Sequence, residues 1–97
     1  MKYLVNGTLR KERTREELVA KIGERNKLLS GEAWELVRRD IVTEHGFKIG
    51  GRPGFILIVR GDSEESVKAA IDQIPLLREG WFDIEIDPIS PFLSDIR

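Results

Sequence analysis

A chain of 97 residues holds one hydrophobic core but is too short to enclose a large buried pocket by itself, so any ligand site is expected to be shared with a partner chain. Its 16 basic and 17 acidic residues give a net charge of -1, which removes the electrostatic footprint of a general nucleic-acid binder, and no apolar run approaches the roughly 20 residues of a membrane-spanning helix. The absence of cysteine excludes a disulfide framework, a thiolate nucleophile and a cysteine-based metal site.

The opening Met1–Gly7 segment is too short in its apolar part for a signal peptide, which makes the cytoplasm the expected location. From Lys2 to Leu9 the chain alternates, with Tyr3, Val5, Gly7 and Leu9 in one phase and Leu4, Asn6 and Thr8 in the other, and reads as a first strand. Thr14 and Glu17 then stand at capping-box spacing, which predicts a helix start. Leu18, Ile22 and Leu29 mark the apolar stripe of that helix, continued by Ala33, Leu36 and Val37. Glycine costs about 1 kcal/mol in a helix interior, so Ser30-Gly31 leaves open either one long kinked helix or two consecutive ones.

Ile41 to Ile49 is a second strand, with Ile41, Thr43, His45, Phe47 and Ile49 in one phase and Val42, Glu44, Gly46 and Lys48 in the other, and with Gly46 as the candidate bulge. Gly50-Gly51-Arg52-Pro53-Gly54 is turn chemistry that joins it to an antiparallel neighbour, Phe55–Val59. Asp62 or Ser63 caps a further helix carrying Val67, Ala70, Ile71 and Ile74, which Pro75 brings to an end. After Leu76, Leu77 and a turn at Gly80, Trp81 to Pro88 alternates as the last strand. The order β-α-β-β-α-β is the α+β arrangement called ferredoxin-like, a four-stranded antiparallel sheet with the helices on one face, in a single domain spanning residues 1–97.

The third strand carries a consequence for assembly. A sheet covered on one face only has strands that alternate apolar with polar, whereas Phe55-Ile56-Leu57-Ile58-Val59 is apolar in both phases. Each large side chain left in water forfeits roughly 1.5 to 3 kcal/mol of burial. A second copy packed sheet to sheet resolves this, and a homodimer is the expectation.

Asp62-Ser63-Glu64-Glu65-Ser66 at a helix start, Ile74-Pro75-Leu76-Leu77 after it, and Phe82-Asp83-Ile84-Glu85-Ile86-Asp87-Pro88-Ile89 as a closing strand resemble the dimeric α+β barrel superfamily. Within it the chain is similar to the small muconolactone isomerase-like proteins, with the YCII-related branch as a neighbour. The resemblance implies a homodimer, extending to higher homo-oligomers, and a small-molecule pocket between helices and sheet. It also implies an intramolecular isomerase that shifts a proton in a lactone-like metabolite without a cofactor. A second branch of the same fold implies a cofactor-free oxygenase of the antibiotic-biosynthesis type, for which Asn6, Trp81 and Tyr3 supply the residue types. A third reading is a non-catalytic ligand-binding or assembly module.

His45 is the only histidine, in phase with Ile41, Phe47 and Ile49. An imidazole in a partly apolar cleft is a suitable base for a carbon acid beside a carbonyl, and the same position equally accommodates a structural histidine. Arg25, on the apolar stripe of the first helix, and Arg52 are the candidates to hold a substrate carboxylate. Tyr3, Phe47 and Trp81, with Trp34 and Phe82, are the candidate aromatic wall. Asp83, Glu85 and Asp87 share one face of the last strand, either as a carboxylate cluster or as a solvated edge paired with Lys48, Arg52 and Arg60. The Gly-rich hairpin lacks the Lys-Ser/Thr ending of a phosphate loop, and no metal ligand set is proposed.

Overall fold

The alternation at the start of the chain becomes the central strand of the sheet. The computed structural model describes residues 1–24 and 32–96. In it, β1 (Lys2–Leu9) is followed by α1 (Arg15–Glu24), α2 (Glu32–Arg38), β2 (Val42–Lys48), β3 (Gly54–Arg60), α3 (Glu64–Ile71), a short α4 (Pro75–Arg78), β4 (Phe82–Ile89) and a 3-10 turn at Leu93–Asp95. The strands form one antiparallel sheet in the order β2-β3-β1-β4, the ferredoxin-like arrangement. Leu29 and the Ser30-Gly31 junction lie outside the described residues, and the chain is helical on both sides of them.

Local chemistry sets the element boundaries. The Thr14–Glu17 capping box forms: Glu17 N–H donates to Thr14 Oγ1 at 3.1 Å and Thr14 N–H to Glu17 Oε1 at 2.9 Å. At α3 the cap is Ser63 rather than Asp62, with Ser66 in the reciprocal role: Ser66 N–H donates to Ser63 Oγ and Ser63 N–H to Ser66 Oγ, both at 3.1 Å. Pro75 does not end α3, which stops at Ile71. It occupies the first helical position of α4, where its missing N–H has no partner to lose. Gly80, at φ 78°, then makes the left-handed turn into β4.

Register pairing sorts the side chains into two faces. Tyr3, Val5, Gly7 and Leu9 of β1 stand opposite Val59, Leu57 and Phe55 of β3 and Pro88, Ile86, Ile84 and Phe82 of β4. This face packs under the helices, where Leu18, Leu36, Val67, Ile71, Leu76 and Leu77 complete the core. The bulge in β2 falls at Thr43, between Val42 and Glu44, not at Gly46. The extra residue changes the phase, so buried Val42, rather than Ile41 and Thr43, shares the helix side with His45 and Phe47.

The other face carries Leu4, Asn6, Thr8, Ile56, Ile58, Glu44, Lys48, Asp83, Glu85, Asp87 and Ile89 with no described helix over it. Lys48 Nζ donates to Asn6 Oδ1 and Thr8 Oγ1, each at 2.8 Å, and so spans two strands. It does not pair with the acidic strand. Arg60 pairs with Asp40 at 3.3 Å, and Asp83 is met by Arg10 at 3.5 Å, so among the described residues the pairing expected for Asp83, Glu85 and Asp87 is replaced by one exposed ion pair of small energetic weight.

Arg52 is a fastening. Its Nε donates to Leu9 O at 2.9 Å, and its Nη2 donates to the carbonyls of Arg10 and Arg13, which ties the β2–β3 hairpin to the β1–α1 connection. Replacement by lysine removes the planar fork while keeping the charge, and Arg52→Lys is expected to lower stability by about 1 to 2 kcal/mol, read as a lower urea midpoint with an unchanged slope. α2 ends in a Schellman arrangement, Ile41 N–H to Leu36 O at 2.9 Å and Asp40 N–H to Val37 O at 3.0 Å, with Asp40 at φ 60°. A side chain is strained in that conformation and the Arg60 contact is solvent-screened, so Asp40→Gly should raise stability by about 0.5 kcal/mol in the same measurement.

Candidate functional site

Between the helix layer and the β2–β3 half of the sheet lies a cavity of about 420 Å³. Its floor follows from the register. One rung across the sheet is Phe47 of β2, Phe55 of β3, Gly7 of β1 and Ile84 of β4, and the next is His45, Leu57, Val5 and Ile86. The cavity stands over the β2 and β3 members of these rungs, with Leu18, Ile22, Trp34 and Val37 on the helix side and Leu76, Leu77 and Phe82 at the far wall. Among the described lining residues only His45 and Lys48 have ionisable side chains. The Lys48 ammonium is held by Asn6 and Thr8 on the opposite face of the sheet, which leaves the His45 imidazole as the one ionisable side chain free to face the cavity among the described lining residues.

Phe55 explains why the floor is open. Its ring leans over Gly7, away from Phe47, and meets Phe82 edge to face at a centroid distance of 5.0 Å and an interplanar angle of 85°. A Cβ at position 7 would lie 2.8 Å from Phe55 Cδ1 and closer still to Cε1 and Cζ. Phe55 is buried, whereas Phe47, its neighbour on β2, is 66% exposed at the rim. His45 is also exposed, so it stands at the mouth rather than at the bottom.

Of the residues singled out from sequence, the structure brings His45 and Phe47 together on the cavity wall, joined by Trp34 and Phe82. Tyr3 and Trp81 are core residues away from it, Trp81 with the Arg13 guanidinium 4.1 Å over its ring. Arg52 spends its donors on backbone carbonyls and is not on the wall, and Arg25 lies outside the described residues. Asn6 is on the opposite face of the sheet from Tyr3, so Asn6, Trp81 and Tyr3 do not converge. The lining leucines carry no chemical signal in the sequence, although Leu76-Leu77 directly after Pro75 mark a segment turned inward. No group of three or more metal-ligating side chains comes together among the described residues, and no described helix is long and apolar enough to cross a membrane.

No protein-family model matches the chain, and no curated protein matches it in sequence. Among solved structures it is similar to 5-chloro-2-hydroxyhydroquinone dehydrochlorinase (TftG) from Burkholderia phenoliruptrix AC1100, in complex with 2,5-dihydroxybenzoquinone. The TM-score is 0.71 at 17% sequence identity, over 93% of this chain and 94% of that one. The likeness is one of fold: the same α+β architecture, a four-stranded antiparallel sheet with helices on one side, runs through nearly the whole of both chains.

Proposed function

We propose that this chain binds a small, flat, mostly apolar ring compound in the cavity over β2 and β3, and that His45 at its mouth moves a proton on that ligand. The observation that carries this reading is the composition of the wall: an open apolar cleft of about 420 Å³ whose described lining residues offer it a single imidazole. The fold neighbour with a six-membered dihydroxyquinone bound supports a ring compound as the ligand class. The resemblance to the muconolactone isomerase-like proteins supports the reaction. His45 takes a proton from a carbon beside a lactone or ketone carbonyl, the electron pair moves onto the carbonyl oxygen, and the imidazolium returns the proton at the conjugated carbon. The step is redox-neutral and balanced without a co-reactant.

The dimeric α+β barrel assignment belongs to the same reading. Leu4, Ile56, Ile58 and Ile89 lie on the uncovered face of the sheet, Ile56 being 40% and Ile89 38% exposed. A second copy stacked on this face buries them as an aligned sheet pair does. Light scattering should then give twice the 11.1 kDa chain mass, and Ile56→Lys should give the mass of one chain; a parent protein of single-chain mass at working concentration would overturn the dimer.

The ligand assignment is tested by thermal shift with 2,5-dihydroxybenzoquinone and an unsaturated γ-lactone. A ligand at a hundred times its dissociation constant adds about 2.7 kcal/mol, and no shift with any ring compound would refute the reading. The role of His45 is tested by deuterium uptake from D2O into the lactone, followed by NMR. His45→Gln should keep the parent melting temperature and slow uptake by about 10² to 10⁴-fold, while equal rates would reduce His45 to a wall residue.

A further inference from the structure

We infer that Gly7, which does not line the cavity, sets its depth and thereby the size of ligand it admits. The inference rests on the reading of the cavity as the ligand site, and it begins with the rung Phe47-Phe55-Gly7-Ile84. Phe55 is the one member whose ring can lie to either side along the rung. Toward β1 it covers the bare backbone of Gly7 and meets Phe82 edge to face; toward β2 it would stand over Phe47, inside the cavity.

The empty position at residue 7 decides between the two. Any Cβ there overlaps three ring atoms of Phe55, a collision with the body of the ring that no small rotation relieves. The neighbours close the other escapes. Leu9 and Val5, on either side of Gly7 in the same phase, are fully buried, and Phe82 blocks the path beyond β1 at 5.0 Å. A side chain at position 7 therefore turns Phe55 back toward β2 and fills the floor. His45 is one rung away, next to Leu57, and keeps its place. Gly7 is thus a positioning residue for Phe55: it acts on how deep a ligand reaches, not on the proton-moving group.

The test uses crystals of the full chain under xenon, which enters dry apolar cavities whatever their natural ligand. The parent should hold xenon over Phe55 and Leu57. Gly7→Ala should show the Phe55 ring turned over Phe47 with xenon occupancy at least halved, and Gly7→Ala/Phe55→Leu should recover it. No xenon in the parent, or an unmoved Phe55 ring with undiminished xenon in Gly7→Ala, would overturn the inference. Should Gly7→Ala fail to crystallise, melting temperatures decide: the double variant must regain most of the loss, because the ring at 55 is the obstacle, and a double variant as unstable as the single one refutes it.

Binding gives the size readout. Gly7→Ala should weaken the two-ring-system probe 8-anilinonaphthalene-1-sulfonate by at least about tenfold and 2,5-dihydroxybenzoquinone by much less. Equal losses for both probes would count against a depth effect. Xenon held by a parent that takes up neither probe would sink the ligand reading alone and leave the role of Gly7 in cavity depth standing.

Discussion

Every layer of this molecule is organised from β1, which is hydrogen-bonded along its length to β3 on one side and β4 on the other. A central antiparallel strand has no freedom of register once both neighbours are paired, because a slip of one residue would turn its whole buried set outward. Tyr3, Val5 and Leu9 are thereby committed to the helices, and Gly7 is left between Val5 and Leu9 where the sheet needs a ring rather than a side chain of its own. The same commitment sends Leu4, Asn6 and Thr8 to the uncovered face, where Lys48 reaches across from β2 to two of them. Core, cavity floor and open face are three results of one register.

How much of this can be read from the chain depends on how local the cause is. β1 is legible to its last residue because its phase and its burial agree, and the capping box at Thr14 needs only three residues to specify it. The bulge at Thr43 is different. Glycine suggests Gly46, yet the extra residue sits where β2 must bring Val42 under the helices opposite Val59, a demand set by the neighbouring strand. Pro75 illustrates a related ambiguity: the same missing N–H that ends a helix also suits the start of one, and only the tertiary path chooses.

The wall of the candidate site was legible in part, for the same reason. His45 and Phe47 share a strand phase, and phase survives into three dimensions once the bulge is placed before them. Arg52 and Trp81 offer side chains suited to ligands, but each is used by its surroundings, the guanidinium by three carbonyls and the indole by Arg13. A residue's chemistry can be read from its letter, and whether that chemistry is free to act depends on partners far away in sequence. Phe55 over Gly7 is the extreme case, a contact between residues 48 positions apart whose meaning lies in an atom that one of them lacks.

The fastening around Arg52 has a mechanical side. Besides the carbonyls it grips, Leu9 N–H donates to Pro53 O at 2.9 Å and Arg15 Nη2 to Gly51 O at 3.1 Å, so the hairpin tip and the entry to α1 are stitched at several points. Pro53 and Gly54 belong to the cavity wall, so the stitches that bind the hairpin tip to the entry of α1 also brace that part of the wall from outside.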